Sequence, residues 1–173
     1  QAAACGDEGA LDVARAGPKK LALWAFAAAG GGYAWLLERV LLPAGARVDV
    51  IAKGGLTAVM AAAQNGQLAA LRVALDAPGG EAAIGMRDED GVTALHFAAA
   101  TGSTETARLL LDRGADPHVR CNRGGTPLVR AAKASGDAGL EVARLLLEAG
   151  ADVNGQNNGG GAALHFACMN SNV

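Results

Sequence analysis

Short apolar runs alternate with polar, glycine-containing segments along the chain. Residues 58–63 and 94–100 are almost entirely apolar, and each run is followed within three residues by a Gly. Residues 109–111 and 145–147 are Leu triplets, and each precedes the sequence Gly-Ala-Asp. Short runs that end at a Gly are typical of helices with a left-handed C-terminal residue. The pattern therefore predicts pairs of short helices separated by turns.

The same pattern recurs at a nearly constant interval. The positions equivalent to Thr93 are 21, 57, 93, 126 and 162, so successive copies are 36, 36, 33 and 36 residues apart. A fixed period of this size indicates a repeat architecture in which each unit buries its apolar face against its neighbours. We expect the three-residue additions in exposed backbone: at residues 30–32 and 135–139, between helices, and in a loop after Asp76.

The clearest copy runs from Asp90 to Asp116, and its core is Thr93-Ala94-Leu95-His96-Phe97-Ala98. The next copy contains Thr126-Pro127-Leu128-Val129-Arg130-Ala131. Both resemble the ankyrin repeat, whose mark is a Thr-Pro-Leu-His-x-Ala core within a period of about 33 residues. The resemblance implies an all-α, ankyrin-type solenoid of stacked helix-turn-helix units with projecting β-hairpin loops.

The registered copies predict one domain, 1–173, that is divided into six units. Unit 1 (1–20) is partial, unit 2 (21–54) is degenerate, units 3 to 5 (55–90, 91–123 and 124–159) are repeats, and unit 6 (160–173) is a truncated C-terminal repeat. We expect a second helix at residues 6–15 that ends at Gly17-Pro18, and an exposed, mobile loop at residues 77–85. In unit 2, Trp24 and Gly30 are placed in register with His96 and Gly102. A chain that starts on a second helix and stops inside a first helix is expected to be one region of a larger protein.

Most of the repeated residue types have a structural reason to recur. Four glycines lie just before a first helix, where a tight turn requires positive φ: Gly55, Gly91, Gly124 and Gly160. Thr57, Thr93 and Thr126 are placed to cap the helices, whereas Ala162 lacks the capping hydroxyl. Paired alanines and paired leucines are predicted to fill the space between units. By the resemblance, His96 bridges to the backbone of the adjoining turn.

Composition and charge narrow the possible partners. Apolar residues make up 51% of the chain and aromatic residues only 3%, which favours thin layers of short helices. The formal net charge of −2 argues against a dedicated nucleic-acid binder, and glycines and charges interrupt the most apolar stretch, so no membrane insertion is expected. Three cysteines without disulfide or metal spacing favour a reducing compartment. We expect an intracellular protein in the cytoplasm, with the nucleus as an open alternative.

The residues that could form a chemical site are better explained by structural roles. His96 and His165 invite a metal or catalytic interpretation, but other units replace this residue with Trp24, Met60 and Val129, and no paired ligand spacing is present. The glycine runs lack the Lys-Ser/Thr that a phosphate-binding loop requires. We therefore predict no enzyme activity, no catalytic or metal-binding residue and no cofactor.

The resemblance implies a protein partner that contacts the concave face formed by hairpins and first helices. On that face the unrepeated residues are the candidates, because the scaffold leaves them free to vary. The candidate partner-binding residues are Arg87, Glu89, Asp90, Val92, Thr101, Arg120, Asn122, Arg123 and Lys133. The stretch from Arg120 to Lys133 is basic, and one hypothesis is that it contacts an acidic segment of the partner; the alternative is that these charges are merely solvated.

Three functions remain open at the level of sequence. The first is a monomeric protein-binding domain of unidentified partner. The second is a targeting or autoinhibitory region of a larger multidomain enzyme whose catalytic part lies outside this segment. The third is a scaffold that holds partners at a fixed spacing.

Overall fold

Short helices joined by tight turns make up the computed structural model, which describes residues 15–134 and 136–170. A 3₁₀ turn occupies Lys53–Gly55, and Gln156 and Ala162 form an antiparallel bridge. The helices in chain order are α1 (Pro18–Gly30), α2 (Ala34–Leu36, continued by a π-helical turn at Leu37–Leu41), α3 (Ala58–Gln64), α4 (Leu68–Asp76), α5 (Gly80–Ile84), α6 (Ala94–Thr101), α7 (Thr104–Asp112), α8 (Pro127–Lys133), α9 (Asp137–Glu148) and α10 (Ala163–Asn170).

The helices stack in two rows. The first helices of successive units pack against one another in the order α1, α3, α6, α8 and α10, and α2, α4, α7 and α9 form the second row. Ala62 and Ala98 are completely buried in the first row, where small side chains let neighbouring helices approach closely. Leu110 and Leu146 are completely buried in the second row. This arrangement confirms the predicted all-α solenoid.

The predicted caps hold the start of the first helices. The Thr57 hydroxyl accepts the amide of Met60 at 3.3 Å, and the Thr126 hydroxyl accepts the amide of Val129 at the same distance. Thr93 forms a capping box with His96. Before these helices, Gly55, Gly91, Gly124 and Gly160 all have φ between 73° and 81°. Both the caps and the positive-φ glycines are therefore confirmed.

Unit 2 departs from the predicted register. Helix α1 begins at Pro18, which suits the first turn of a helix because its φ is fixed and it has no amide to leave unpaired. Gly30 is the last residue of the helix, and Gly32 takes the left-handed conformation (φ 76°) that Gly102 takes in unit 4 (φ 69°). The added residues thus lengthen α1 to 13 residues instead of enlarging the turn. The predicted placement of Trp24 and Gly30 is wrong for this reason.

Two predictions concern segments that lie wholly or partly outside the described residues. The helix expected at residues 6–15 lies outside them except for Arg15, and Ser135 lies outside them as well. From Gly136 onward, α9 is 12 residues long, whereas α7 has nine. The addition in unit 5 was predicted at residues 135–139. Residues 137–139 are helical, so this part of the addition does not form a longer turn.

The segment after Asp76 is not an exposed loop. Residues Gly80–Ile84 form helix α5, in which Ala83 is completely buried and Ile84 is nearly so. Gly80 lies against the carbonyl groups of Ala74 and Leu75 at the end of α4, so closely that a Cβ atom would collide with both oxygens. This close approach folds the added residues back onto the core, and the prediction of a loop is wrong at α5, although Glu81 and Ala82 on its outer side are exposed.

Gly80→Ala is expected to lower the free energy of unfolding by about 1–3 kcal/mol, because the new methyl group must displace backbone instead of a flexible side chain. Gly85→Ala is the matched control, since nothing lies within 4 Å of its Cβ position and its φ of −88° suits alanine. Urea denaturation followed by circular dichroism measures both. Equal stabilities of the two variants would contradict the packing described for α5.

Within the described ranges, no helix is both long and apolar enough to cross a membrane.

Candidate functional site

Four tight turns project ahead of the first helices and share one hydrogen-bonding pattern. In each turn the amide of the first residue donates to the carbonyl of the fifth, at 2.7–3.0 Å, and a positive-φ Gly occupies the fourth position. The turns span residues 52–56, 88–92, 121–125 and 157–161, and each turn is assigned, with the residues that lead into it, to the unit whose first helix follows it: units 3, 4, 5 and 6. The sequence between the helices therefore builds a repeated, internally bonded tip.

Neighbouring tips are joined by backbone hydrogen bonds. The amide of Asn122 donates to the carbonyl of Asp90 at 2.9 Å, and the amide of Asn158 donates to the carbonyl of Arg123 at 3.0 Å. A longer bond of 3.3 Å connects Glu89 to Gly54 in the same way. The four turns thus form a continuous ladder, which we call the turn-tip row.

Two asparagine side chains reinforce this row. The Asn122 side-chain amide donates to the Glu89 carbonyl at 2.9 Å, and the Asn158 side-chain amide donates to the Asn122 carbonyl at 3.0 Å. Asn122, a candidate partner-binding residue, therefore also holds two units together. Asn158 was not among the candidate residues, although Asn at the second position of both turns is a signal that could have identified this role.

Arg87 and Arg120 make a second set of links between units. Arg87 Nη1 donates to the Arg120 carbonyl at 3.3 Å, and Arg120 Nη2 donates to the Gln156 carbonyl. A guanidinium group carries five N–H donors in a planar fork, so one bond to a carbonyl leaves others directed outward. Both side chains belong to exposed residues. They can support the row and still meet a partner.

The remaining acidic and apolar candidates fall into two groups. Glu89 and Asp90 are exposed at the tip of their turn, and Asp88 Oδ1 accepts the amides of Asp90 and Val92 at 2.9 and 2.7 Å. Val92, the last residue of the same turn, is only 4% exposed. Val92 therefore cannot contact a partner from the surface, which corrects its place among the candidates.

Arg123 lies within the row, whereas Thr101 and Lys133 lie at the C-terminal ends of α6 and α8. Thr101 is exposed at the end of α6, and its hydroxyl bonds to the Ala98 carbonyl at 3.1 Å. Lys133 Nζ lies 3.9 Å from the centroid of the Phe166 ring, a cation–π contact between units 5 and 6. The side chain of Arg123 is exposed at the tip. Eight of the nine candidates are thus exposed, whereas Val92 lies in the turn 88–92 but is buried.

His96 is part of the scaffold beneath the row. It is completely buried, its Nδ1 accepts the amide of Thr93 at 3.2 Å, and its Nε2 lies 3.0 Å from the carbonyl of Gly125. Because Nδ1 accepts, the ring is the neutral tautomer with its proton on Nε2, which donates to Gly125. His96 therefore connects unit 4 to the turn of unit 5, as the resemblance implied.

Burial lowers the pKa of His96 from 6.5 to about 4, and the bond to Gly125 offsets only part of this effect. The positive charges of Arg130 and Arg87 lower the pKa further, whereas Asp88 raises it. The imidazole is therefore uncharged near neutral pH, and both ring nitrogens are occupied by backbone partners. Such a side chain is positioned for structure and not for proton transfer to a ligand.

An open cleft of about 1060 Å³ lies between α5 and residues 113–119. Arg113 crosses it to pair with Asp76 at 2.9 Å. Among residues 15–134 and 136–170, no three His, Cys, Asp or Glu side chains come together in a way that could hold a metal ion. The cleft thus contains an ion pair, and its lining does not indicate a reaction.

Comparison with known families agrees with this architecture. The family described as "Ankyrin repeats (3 copies)" matches residues 24–121, and the one described as "Ankyrin repeats (many copies)" matches residues 128–173. No curated protein matches the sequence closely enough to count as a relative. The family matches cover most of the chain, including the bridging His96 and the turns at 52–56, 88–92 and 157–161. The chain belongs to the ankyrin repeat family.

Proposed function

We propose that the chain is a protein-binding module that contacts its partner through the turn-tip row and the adjoining exposed ends of the first helices. Ankyrin repeats are generally protein–protein interaction modules. The observation that carries the proposal is the row itself: units with the same backbone present different side chains at equivalent exposed positions. Glu89 and Asp90 occupy in unit 4 the two positions that Asn122 and Arg123 occupy in unit 5.

The row is suited to binding because it is already ordered. Backbone bonds between neighbouring tips and the two asparagine side chains fix the spacing of the exposed groups. Binding to a preorganised surface avoids part of the entropy cost of ordering loops on association. We place Glu89, Asp90 and Arg123 at the centre of the contact, with Thr101 and Lys133 at its edge, and we assign Arg87, Arg120 and Asn122 both scaffold and contact roles.

The proposal assigns the chain no catalytic step and no nucleic-acid ligand. Two adjacent carboxylates at the tip of unit 4, together with a net charge of −2, disfavour a polyanion that would run along the whole row. We also propose that the module acts as a monomer inside the cell.

Site-specific photocrosslinking tests the proposal. A photoreactive amino acid at Asp90 is expected to form adducts with a defined set of proteins in an extract of the source cells. The same amino acid at Arg108, an exposed position on α7 in the second row, is the matched control. Adducts that form equally at both positions, or at Arg108 alone, would refute the turn-tip row as the contact surface.

A further inference from the structure

The positive charge of the row is concentrated in unit 5. Arg120, Arg123, Arg130 and Lys133 lie within residues 117–136, a stretch that contains no Asp or Glu. We call these four residues the unit-5 basic surface. Residues 153–173, which include the turn and the first helix of unit 6, also lack Asp and Glu. The chain therefore supplies no carboxylate side chain along the last two units of the row.

The three arginines of this surface have no ion-pair partner. Within the described part of the chain, none of their guanidinium groups lies within 4.0 Å of a carboxylate, whereas Arg47 and Arg113 each pair with an aspartate. Arg120 uses one donor for the Gln156 carbonyl, and Arg123 contributes only its backbone carbonyl to the ladder. Guanidinium groups with free forks are suited to bidentate recognition of carboxylates.

The basic groups also flank aromatic side chains on the first helices. Arg130 occupies in α8 the position that Phe97 occupies in α6 and Phe166 in α10. Phe97 and Phe166 are half-buried, so part of each ring remains accessible. Lys133 lies over the ring of Phe166 at 3.9 Å. The surface thus combines cations with partly exposed rings, which suits a peptide that carries both acidic and apolar side chains.

The side chains on the two sides of the unit-5 basic surface differ in charge. On one side, the unit-4 turn carries Asp88, Glu89 and Asp90, which repel an anion. On the other side, the unit-6 turn contains only uncharged side chains, Asn157 and Asn158 among them. An anionic segment is therefore favoured over units 5 and 6 and disfavoured over unit 4.

We infer that the unit-5 basic surface binds an acidic, extended peptide segment of the protein partner, with its carboxylates over units 5 and 6. This inference rests on the proposed function and specifies the chemistry of the partner. Packed helices lie about 8–10 Å apart, and an extended peptide in the polyproline II conformation advances about 3.1 Å per residue with three residues per turn, so that every third side chain lies on the same face. Carboxylates at every third residue therefore match the spacing of successive units. A nucleic acid that ran along the whole row is disfavoured because its uniform charge would also cover Glu89 and Asp90.

Fluorescence anisotropy with a labelled 12-residue peptide tests the inference. The probe carries Glu at every third position with Gly and Ser between, and its twin carries Lys instead of Glu. The Glu peptide is expected to bind the intact chain, and to bind more weakly as the salt concentration rises. The Lys twin is expected to bind at least tenfold more weakly. Absence of binding by the Glu peptide, or equal binding of the twin, would overturn the inference.

The double variant Arg123→Glu, Lys133→Glu is expected to weaken binding of the Glu peptide by about tenfold or more. Arg108→Glu, Arg144→Glu is the matched control, because it makes the same change in net charge at exposed positions of α7 and α9. Thermal unfolding of both variants checks that the fold is retained. An equal loss in the control would overturn the inference, because it would show that only net charge matters.

Two further measurements distinguish an acidic peptide from a nucleic acid, and the inference from the proposed function. A 12-nucleotide single-stranded DNA that bound more tightly than the Glu peptide at equal ionic strength would overturn the choice of a peptide ligand. The Asp90 crosslinking experiment uses the protein partner itself. Adducts at Asp90 together with no effect of the Arg123 and Lys133 charge reversal would refute the acidic segment and leave the proposed function standing.

Discussion

Replacing His96 with alanine is expected to lower the free energy of unfolding by about 3–5 kcal/mol. The substitution leaves the amide of Thr93 and the carbonyl of Gly125 without their imidazole partner in a fully buried site. The Gly125 carbonyl keeps its bond from the Cys121 amide, so the unsatisfied group is the Thr93 amide, which costs about 1–3 kcal/mol, and the lost ring leaves a cavity as well. The bond to Gly125 also joins unit 4 to unit 5, so we expect cooperativity between these units to weaken. Urea denaturation followed by circular dichroism at 222 nm measures the change.

His165→Ala is the matched control for this prediction. His165 has the same place in unit 6, and its Nδ1 accepts the amide of Ala162 at 3.3 Å, but its side chain belongs to an exposed residue. Loss of one solvent-accessible bond is expected to cost less than about 1 kcal/mol. If both alanine variants lost the same stability, burial and the bridge between units would not be the source of the His96 effect.

Acidification from pH 7 to pH 4 is expected to remove about 3 kcal/mol of stability through His96 alone. Its pKa is lowered from 6.5 to about 4 in the folded protein, mainly by burial. Between these two values the unfolded chain binds the proton and the folded chain does not, so stability increases with pH. The contribution is fully present above about pH 6.5 and is lost as the pH falls toward 4. A difference of one pKa unit corresponds to about 1.4 kcal/mol.

Unfolding free energies measured at intervals between pH 7.5 and pH 4 test this prediction, with His96→Ala as the control that lacks the titrating group. Between pH 6.5 and 4, the free energy of unfolding is expected to change less steeply with pH in the His96→Ala variant than in the parent chain. Asp49, whose pKa is lowered chiefly by its hydrogen bond to Arg47, contributes only below this window. Identical slopes in the two proteins would exclude His96 as the source of the pH dependence.

Local chemistry made much of the fold predictable from sequence. Three residue types each have one favoured structural role: the Gly before a first helix, the Thr that caps that helix and the Leu pair in the second helix. Their recurrence fixes the register. Unit 2 could not be predicted equally well, because Pro18 starts α1 early and only one glycine of residues 30–32 is left-handed. Helix α5 depends on the approach of Gly80 to the end of α4, a tertiary contact with no sequence period.

The exposure of the candidate residues was largely predictable, but their contacts were not. Eight of the nine are exposed, since the repeat fixes which backbone positions face solvent. The burial of Val92, however, depends on which side of the turn faces the core. The bonds from Arg87 and Asn122 cross 33 residues of sequence, and Lys133 contacts the ring of Phe166 in the next unit. Contacts between units decide these roles, and no single repeat contains them.

A photocrosslinking scan along both rows tests the central claim most directly. The photoreactive amino acid is placed in turn at Asp90 and Arg123 on the turn-tip row, and at Arg108 and Arg144 on the second helices. We predict adducts with the same partner at both turn-tip positions and none at the two helix positions. Adducts at Arg108 and Arg144 without adducts at Asp90 and Arg123 would contradict the account, because the partner would then bind the opposite row of the solenoid.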